Sequence, residues 1–277
     1  MISIITAVHN QLAMNRIFWH YLSKYTKNPF ELIIIDNDSS DGSREFFASI
    51  GAKIIANPGN YSYPYCQNQG ISLATYENIA FLNNDIIVSP NWDQTLLSSM
   101  EFNHLDVATS CGIEQIENAE STRQLKNRWK AIKNILSILG INRWNLLLMH
   151  KLMYPNWERF CAARYKQFKL QIKEGFVGNT VIMKKSALAK IGTFDPRIQG
   201  ADFDLYLRTK QRSLEHHDMQ PMAVCLDVFN HHYIRLTLKT NNLLKNRPPK
   251  FVDQDNLISL ADKWDAKYLQ YLDALNR

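Results

Sequence analysis

The sequence predicts an α/β protein built on a mainly parallel sheet with helices on both faces. Two observations carry this. Short apolar runs alternate with stretches of helical periodicity through the first 113 residues. Two of those runs also end in an aspartate, Asp36 and Asp85, and open α/β sheets bind ligands at the carboxyl ends of their strands.

The elements follow in order. Residues 2–8 form a buried apolar run that reads as a strand. Met14, Ile17, Phe18, Tyr21, Leu22 and Tyr25 then recur at helical spacing, and Pro29 closes that helix. Residues 31–36 are a second strand. The stretch from Asn37 to Ser43 is rich in turn and N-cap residues and leads into a short helix. Residues 52–56 are a third strand, followed by the turn Asn57-Pro58-Gly59-Asn60. Residues 65–77 read as a helix and 79–82 as a fourth strand, closed by Asn83-Asn84-Asp85. Trp92, Leu96, Leu97 and Met100 mark a further helix, and 106–113 a strand.

The pattern changes near residue 118. From there to 174 the chain reads as a helical, basic insertion, with Leu125, Trp129, Ile132, Leu136 and Leu139 as one apolar stripe. After Gly175 the strand-like pattern returns through Met183 and again over 223–229. Residues 253–275 read as a closing helix within a helical tail spanning 241–277. The whole, 1–277, is expected to be a single domain with the insertion at 118–174.

With 277 residues and 45% apolar content the chain can bury an ordinary core. Its four cysteines form no Cys-x-x-Cys pair, so reduced thiols in a cytoplasmic protein are expected. A strand beginning at residue 2 predicts no signal peptide, and no apolar run approaches the roughly 20 residues that span a bilayer. The net charge of +6 is local: residues 121–173 hold twelve Lys or Arg and one acid, Glu158. Three tryptophans lie there too: Trp129, Trp144 and Trp157. That segment reads either as a helical subdomain with a solvated basic face, or as a surface for an anionic membrane or a second copy. Charge alone would also allow nucleic acid, but no recognition motif accompanies it, and none is expected as a partner.

Three clusters carry candidate chemistry. Asp85 can hold a hard cation such as Mg²⁺ or Mn²⁺ whose other ligands are a nucleotide's phosphates; equally, Asn-Asn-Asp is a polar turn before a helix. Asp36 can accept a hydrogen bond from a base or ribose, or cap its loop. Asn57-x-Gly59 and Asn68-x-Gly70 are elements that could lie close to a nucleotide. Asp202 and Asp204, after Gly200, form a plausible general-base site, although either could be an N-cap. His231 and His232 are adjacent on a strand end and point to opposite faces, so at most one serves a given site.

The order and spacing of these clusters resemble the family 2 glycosyltransferases of GT-A type. The matching segments begin with Ser3 to Asn10, Ile34 to Ser43, Asn68-Gln69-Gly70 and Leu82 to Asp85. They continue with Gly178 to Lys185, Ile191 to Asp195, Ala201 to Arg208, His231 and Lys263-Trp264. The resemblance covers about 2–113 and 175–235, not the basic insertion. It implies a Rossmann-like mixed sheet and roles for particular residues. Asp36 would bind a pyrimidine base, with Ala7, His9 and Asn10 lining its pocket and Asn68 nearby. Asn84 would lie near the ribose. Asp85 would hold Mn²⁺ or Mg²⁺, with His231 completing the metal site. Asp202 would be the general base, with Asp204 as its rival. Two departures stand out: Asn-Asn-Asp replaces the two-aspartate metal motif, and Ala201 replaces the usual glutamate.

The expected function is therefore metal-dependent, inverting transfer of a sugar from a UDP- or dTDP-sugar to a glycan or lipid-linked acceptor. By family analogy this belongs to surface polysaccharide or glycolipid synthesis, in the cytoplasm or peripherally on the inner membrane face through 121–173. A sugar nucleotidyltransferase is disfavoured because Ala7-Val-His-Asn-Gln has no glycine-rich loop. A catalytically silent nucleotide-binding or scaffolding protein on the same fold is the alternative.

Overall fold

The computed structural model describes residues 1–234 and 250–275. An eight-stranded sheet runs β3 (Lys53–Asn57), β2 (Phe30–Asn37), β1 (Ile2–Val8), β4 (Asn78–Leu82), β8 (Thr180–Lys184), β6 (Val107–Cys111), β9 (Ala223–Phe229) and β7 (Ile172–Glu174). β1 pairs parallel with both β2 and β4, β2 with β3, and β6 with β9; β8 and β7 are antiparallel to their neighbours. A two-stranded ribbon joins β5 (Ile86–Ile87) to β10 (His231–His232). The mainly parallel sheet expected from the sequence is present. Its near-continuous apolar strands are those of a sheet covered on both faces.

This topology decides where a site must lie. From β1 the chain winds outward through β2 and β3, then returns to the other side of β1 as β4. The switch point is between β1 and β4, where the carboxyl ends leave a crevice. β6 and β9 run in the same sense as β4, so the residues after all of these strands emerge on one edge. The antiparallel β8 starts from that same edge, which places Gly178 and Asn179 there.

Helices α1 (Leu12–Tyr25), α2 (Ser43–Ser49), α3 (Tyr63–Leu73) and α4 (Trp92–Phe102) cover the first half of the sheet. α3 lies close because Gly70 has no side chain: a Cβ there would strike Ile5 of β1. The basic segment folds as α5 (Ala119–Leu136), a 3₁₀ turn (Ser137–Leu139), α6 (Arg143–Met153) and α7 (Trp157–Phe168). Each of these three helices has an asparagine N-cap, Asn118, Asn142 or Asn156, accepting a backbone N–H within the first turn. The helical run stops before 174, because Ile172–Glu174 form β7 against β9. α7 packs on β9, and its Arg164 is buried between Glu117 (3.0 Å) and the Leu226 carbonyl (3.1 Å).

α8 (Ala187–Ile191) and α9 (Ala201–His216) follow. The predicted closing helix is broken into a 3₁₀ turn (Gln254–Asn256), α10 (Leu260–Lys263) and α11 (Ala266–Leu275). Ser259 caps α10 in a reciprocal capping box with Asp262, and Trp264 is extended, so two starts replace one helix. Residues 241–249 and 276–277 of the expected tail lie outside the described residues. All four cysteines are buried thiols. Among the described residues no helix is long and apolar enough to cross a membrane.

Candidate active site

Loops at the carboxyl edge build the site from one end to the other. At the first end, Asp36 closes β2 in full burial. Its Oδ2 takes the Arg44 guanidinium (Nε 2.7 Å, Nη2 2.6 Å), while its Oδ1 is buried with no hydrogen-bond partner among the described residues. A buried carboxylate oxygen without a donor is costly, and it is an acceptor ready for a ligand N–H or hydroxyl. Beside it, Asn10 and Gln11 are both left-handed (φ 59° and 74°), a strained pair for residues with side chains. Their fold-back lets the Asn10 N–H reach Ser39 Oγ (2.8 Å) and Asn10 Oδ1 accept from the Ser40 N–H (2.8 Å). His9 Nδ1 donates to the Asn37 carbonyl (2.6 Å). Ala7 lies one register step earlier, opposite Ile35. Ala7, His9, Asn10 and Asp36 thus share one end of the site.

Asn84 sits at the switch point. Its amide donates to Asn15 Oδ1 (2.7 Å), and Asn15 donates to Ser43 Oγ (2.8 Å) and the Asn10 carbonyl (3.0 Å). This chain of amides ties the β4 loop to the loops after β1 and β2. Asn68 is placed differently from its expected neighbourhood. Its side chain donates to the Phe194 carbonyl (2.8 Å) and accepts from the Phe194 N–H (3.0 Å), clamping α3 to the turn before α9.

The centre holds a carboxylate, an imidazole and a second carboxylate. His232 Nε2 lies 3.1 Å from Asp85 Oδ1, and His232 Nδ1 contacts Glu114 Oε1. Burial opposes charge on His232, but the two carboxylates outweigh it and hold its pKa well above the ordinary value. His231 was expected beside Asp85; the structure puts its neighbour there instead. On β10 the two rings point to opposite sides, as strand geometry requires. His231 is fully buried, stacked on His150 (5.0 Å, 17°), with their Nδ1 atoms 2.7 Å apart and Trp129, Tyr154 and Tyr233 around them. Burial pushes the pKa values of both buried histidines down. Among the described residues no three His, Cys, Asp or Glu side chains are arranged to hold a metal ion. Asp85 remains a single carboxylate suited to the sparse coordination in which Mg²⁺ or Mn²⁺ takes one or two protein oxygens and the rest from phosphates and water. The donor set fits a cation on those terms.

Glu114 was not singled out from sequence, where it followed directly on the expected 106–113 strand. Its placement repeats the signal at Asp36 and Asp85: an acid just past the carboxyl end of a sheet strand. Glu114 Oε2 accepts from Asn179 Nδ2 (3.2 Å), and a Cβ at Gly112 would collide with both side chains. The β6 and β8 loops are thereby locked to one another.

At the far end, α9 carries Asp202 and Asp204 in its first turn. Asp204 is buried in an ionic anchor: Lys263 Nζ at 2.7 Å, Arg208 Nε at 3.0 Å and the Trp264 indole N–H at 2.9 Å. The Lys-Trp pair near the end of the chain therefore holds α9 in place. Asp202 is in no ion pair among the described residues. Its Oδ1 accepts from the Phe203 N–H (3.0 Å), and its other oxygen lies against Gly178, so close that a Cβ there would overlap it. Burial raises the Asp202 pKa, with Glu114 adding to the rise and the Phe203 N–H opposing it. A cleft of about 960 Å³ lies elsewhere, between α4 and α7, lined by residues such as Phe102, Tyr165 and Asp227. It includes none of the predicted site residues.

Among solved structures, the chain is similar to S. aureus TarS residues 1–349 in complex with UDP (15% identity, TM-score 0.50, 83% of this chain and 60% of that one). It is also similar to the mannosyltransferase PcManGT from Pyrobaculum calidifontis in complex with GDP-Man and Mn²⁺ (14% identity, TM-score 0.48, 80% and 56%). The chain thus spans less than two thirds of the length of these relatives. The TarS likeness is one of fold, and that fold is of the GT-A type. No curated protein matches significantly in sequence. The sequence profile of Glycosyl transferase family 2 matches residues 3–192, which carry Asp36, Asp85 and Glu114 and end before Asp202. Over that span, more than half of its length, the chain belongs to glycosyl transferase family 2.

Proposed function

We propose that the protein transfers a sugar from a UDP- or dTDP-sugar to a hydroxyl of a glycan or lipid-linked acceptor, with inversion, in surface polysaccharide or glycolipid synthesis. The observation that carries this reading is a line of three acids along one sheet edge in three different states. Asp36 has an open buried oxygen, Asp85 faces the crevice, and Asp202 stands apart from every described cation. In this reading Asp36 and the loop from Ala7 to Asn10 take the base, and Asn84 lies at the ribose. Asp85 would hold Mn²⁺ or Mg²⁺. Such an ion, when bound, neutralises charge gathering on the departing nucleoside diphosphate.

Asp202 supplies the general base. The acceptor hydroxyl oxygen attacks the anomeric carbon as the bond to the diphosphate oxygen breaks, and Asp202 Oδ takes the hydroxyl proton. A pKa raised by burial suits that duty, since proton transfer is most effective when the base is closer in pKa to its working pH. Asp204 is unsuited, because its carboxylate is committed to Lys263, Arg208 and Trp264. Glu114 and the His232 imidazolium keep Asp85 oriented from the β6 and β10 sides.

The test is calorimetric titration of UDP and dTDP, with Mn²⁺ and with EDTA, on wild type and Asp85→Ala. Metal-dependent binding in the micromolar range that Asp85→Ala abolishes is the expected result. Absence of binding by either nucleotide with metal present refutes the donor assignment. Ala201, buried where the family usually has a glutamate, favours a second reading as a silent nucleotide-binding protein. Nucleotide binding with no turnover on any acceptor would select it.

A further inference from the structure

The basic insertion ends in a tip that carries four exposed apolar side chains among the described residues. Ile135, Ile138 and Leu139 sit at i, i+3 and i+4 where α5 passes into the 3₁₀ turn, so they share one face. They are 68%, 85% and 57% exposed, and Trp144, in the first turn of α6 across the turn at Gly140, is 66% exposed. Four large apolar side chains at one hairpin tip are unusual on a surface whose apolar residues elsewhere are mostly scattered. The stripe read from the sequence thus divides. Trp129 turns inward onto His231 and Tyr233, whereas Leu139 faces out.

The charges around the tip have one sign. Lys126 and Lys130 are exposed one turn apart on α5, Arg143 is exposed beside Trp144, and Lys151 is exposed further along α6. Over 121–173 there are twelve cations against Glu158. The tip residues line none of three clefts found among the described residues. A short apolar tip with a tryptophan, carried on helices whose exposed charges include Lys126, Lys130, Arg143 and Lys151, matches the chemistry of an anionic lipid surface. There, aliphatic groups enter the acyl boundary, indole rests at headgroup depth, and cations meet the phosphates.

We propose that the hairpin tip, Ile135, Ile138, Leu139 and Trp144, inserts peripherally into an anionic bilayer, with Arg143 beside it and Lys126 and Lys130 further back on α5 adding attraction to the anionic surface. This gives a specific docking surface to the peripheral contact expected for 121–173. It stands on the tip itself and not on the donor site; it rests on the proposed function only in that a lipid-linked acceptor would lie on the same surface. The same hairpin braces the site from inside, because α6 supplies His150, which stacks on His231 next to His232. Docking would therefore bring the membrane surface to the helices that hold the active site.

The experiment is co-sedimentation of the full chain with vesicles of phosphatidylcholine alone and with 30% phosphatidylglycerol. Wild type, Ile138→Asp/Leu139→Asp and Lys126→Glu/Lys130→Glu are compared, with UDP calorimetry and thermal melting on each. Wild type should sediment with the anionic vesicles, only weakly with the neutral ones, and less in high salt. The apolar-to-acid pair should lower the partition coefficient at least tenfold. The charge reversal should lower it by at least roughly fivefold per reversed site, since each lost cation is worth about 1 kcal/mol near an anionic surface and each new carboxylate is repelled by it. Melting temperature and nucleotide binding should be unchanged, which keeps a failure of this surface separate from a failure of the donor site. Any of three outcomes overturns the proposal. One is no sedimentation with anionic vesicles. Another is sedimentation that the tip variant does not reduce. The third is a dimer by sedimentation velocity that Ile138→Asp/Leu139→Asp dissolves, without lipid binding, which would assign the tip to a second copy of the chain.

Discussion

Asp202 and Asp204 are two residues apart in the first turn of one helix, and their environments predict opposite consequences of the same substitution. In Asp204→Asn the buried charge is lost while the shape is kept. Trp264 can still donate to the amide oxygen, Lys263 keeps Asp195 at 3.0 Å, and Arg208 keeps the carbonyls of Ile191 (2.6 Å) and Thr193 (2.8 Å). Breaking a buried ion pair costs about 3–5 kcal/mol. These surviving partners place Asp204→Asn near the lower end, about 3 kcal/mol, or a fall of about 6–12 °C in melting temperature. Asp202→Asn removes a carboxylate with no cation to strand among the described residues, so the melting temperature should move little. Its cost falls on the chemistry: loss of a general base lowers kcat by about 10²–10⁴. The assay is release of nucleoside diphosphate with donor and acceptor, run beside thermal melting and nucleotide titration. The reasoning fails if folded Asp204→Asn loses more turnover than Asp202→Asn, or if Asp202→Asn retains wild-type kcat.

Other outcomes follow from contacts already described. Gly178→Ala should push the Asp202 carboxylate from its place and lower kcat by about 10², with nucleotide affinity unchanged; an unaltered kcat would show that this contact does not position the base. Gly70→Ala should destabilise the fold by about 1–3 kcal/mol through overpacking on Ile5, read as a lower urea midpoint at constant slope. Burial works to raise the Glu31 pKa, but Lys53, the Ser3 hydroxyl and Thr75 outweigh it and hold it down to about 2. A depressed carboxylate adds stability above its unfolded pKa of about 4.5 and loses it as pH falls toward 2. The stability gap between wild type and Glu31→Gln should therefore be widest near neutrality and shrink below pH 4.5; a gap independent of pH would refute that pairing.

Apolar patterning was enough to place the sheet because parallel strands buried on both faces are apolar along their whole length. Residues 2–8 and 223–229 coincide with β1 and β9 for this reason. The pattern said less where local chemistry decides. Residues 253–275 keep helical periodicity, yet Ser259 and Asp262 form a cap in the middle and an extended Trp264 carries its indole to Asp204, a tertiary demand that periodicity does not register. Asn68 shows a similar limit. Its neighbourhood in the sequence suggested a nucleotide contact, but its amide satisfies the backbone of Phe194, which lies 126 residues away in the chain.

The site shows the same division, and the reason is parity along the strand. Two adjacent histidines cannot both face one crevice, and which one does depends on the register of β10 against β5, where His232 lies opposite Ile86 and His231 opposite Ile87. That register is fixed by burial on the insertion side. His231 fills a pocket made by Trp129, His150 and Tyr154, and a one-residue slip would take its stacked ring out of that pocket and turn His232 away from Asp85 and Glu114. The insertion thus packs the pocket that holds His231 and leaves His232 to face Asp85. A prediction separates this from simple adjacency. His150→Phe keeps an aromatic ring in the pocket but removes the 2.7 Å hydrogen bond to His231. If the insertion sets the register, that variant should stay folded yet weaken Mn²⁺-dependent nucleotide binding, with the metal-free component unchanged. Equal loss of both components would instead mean that His150 supports only the general stability of the core.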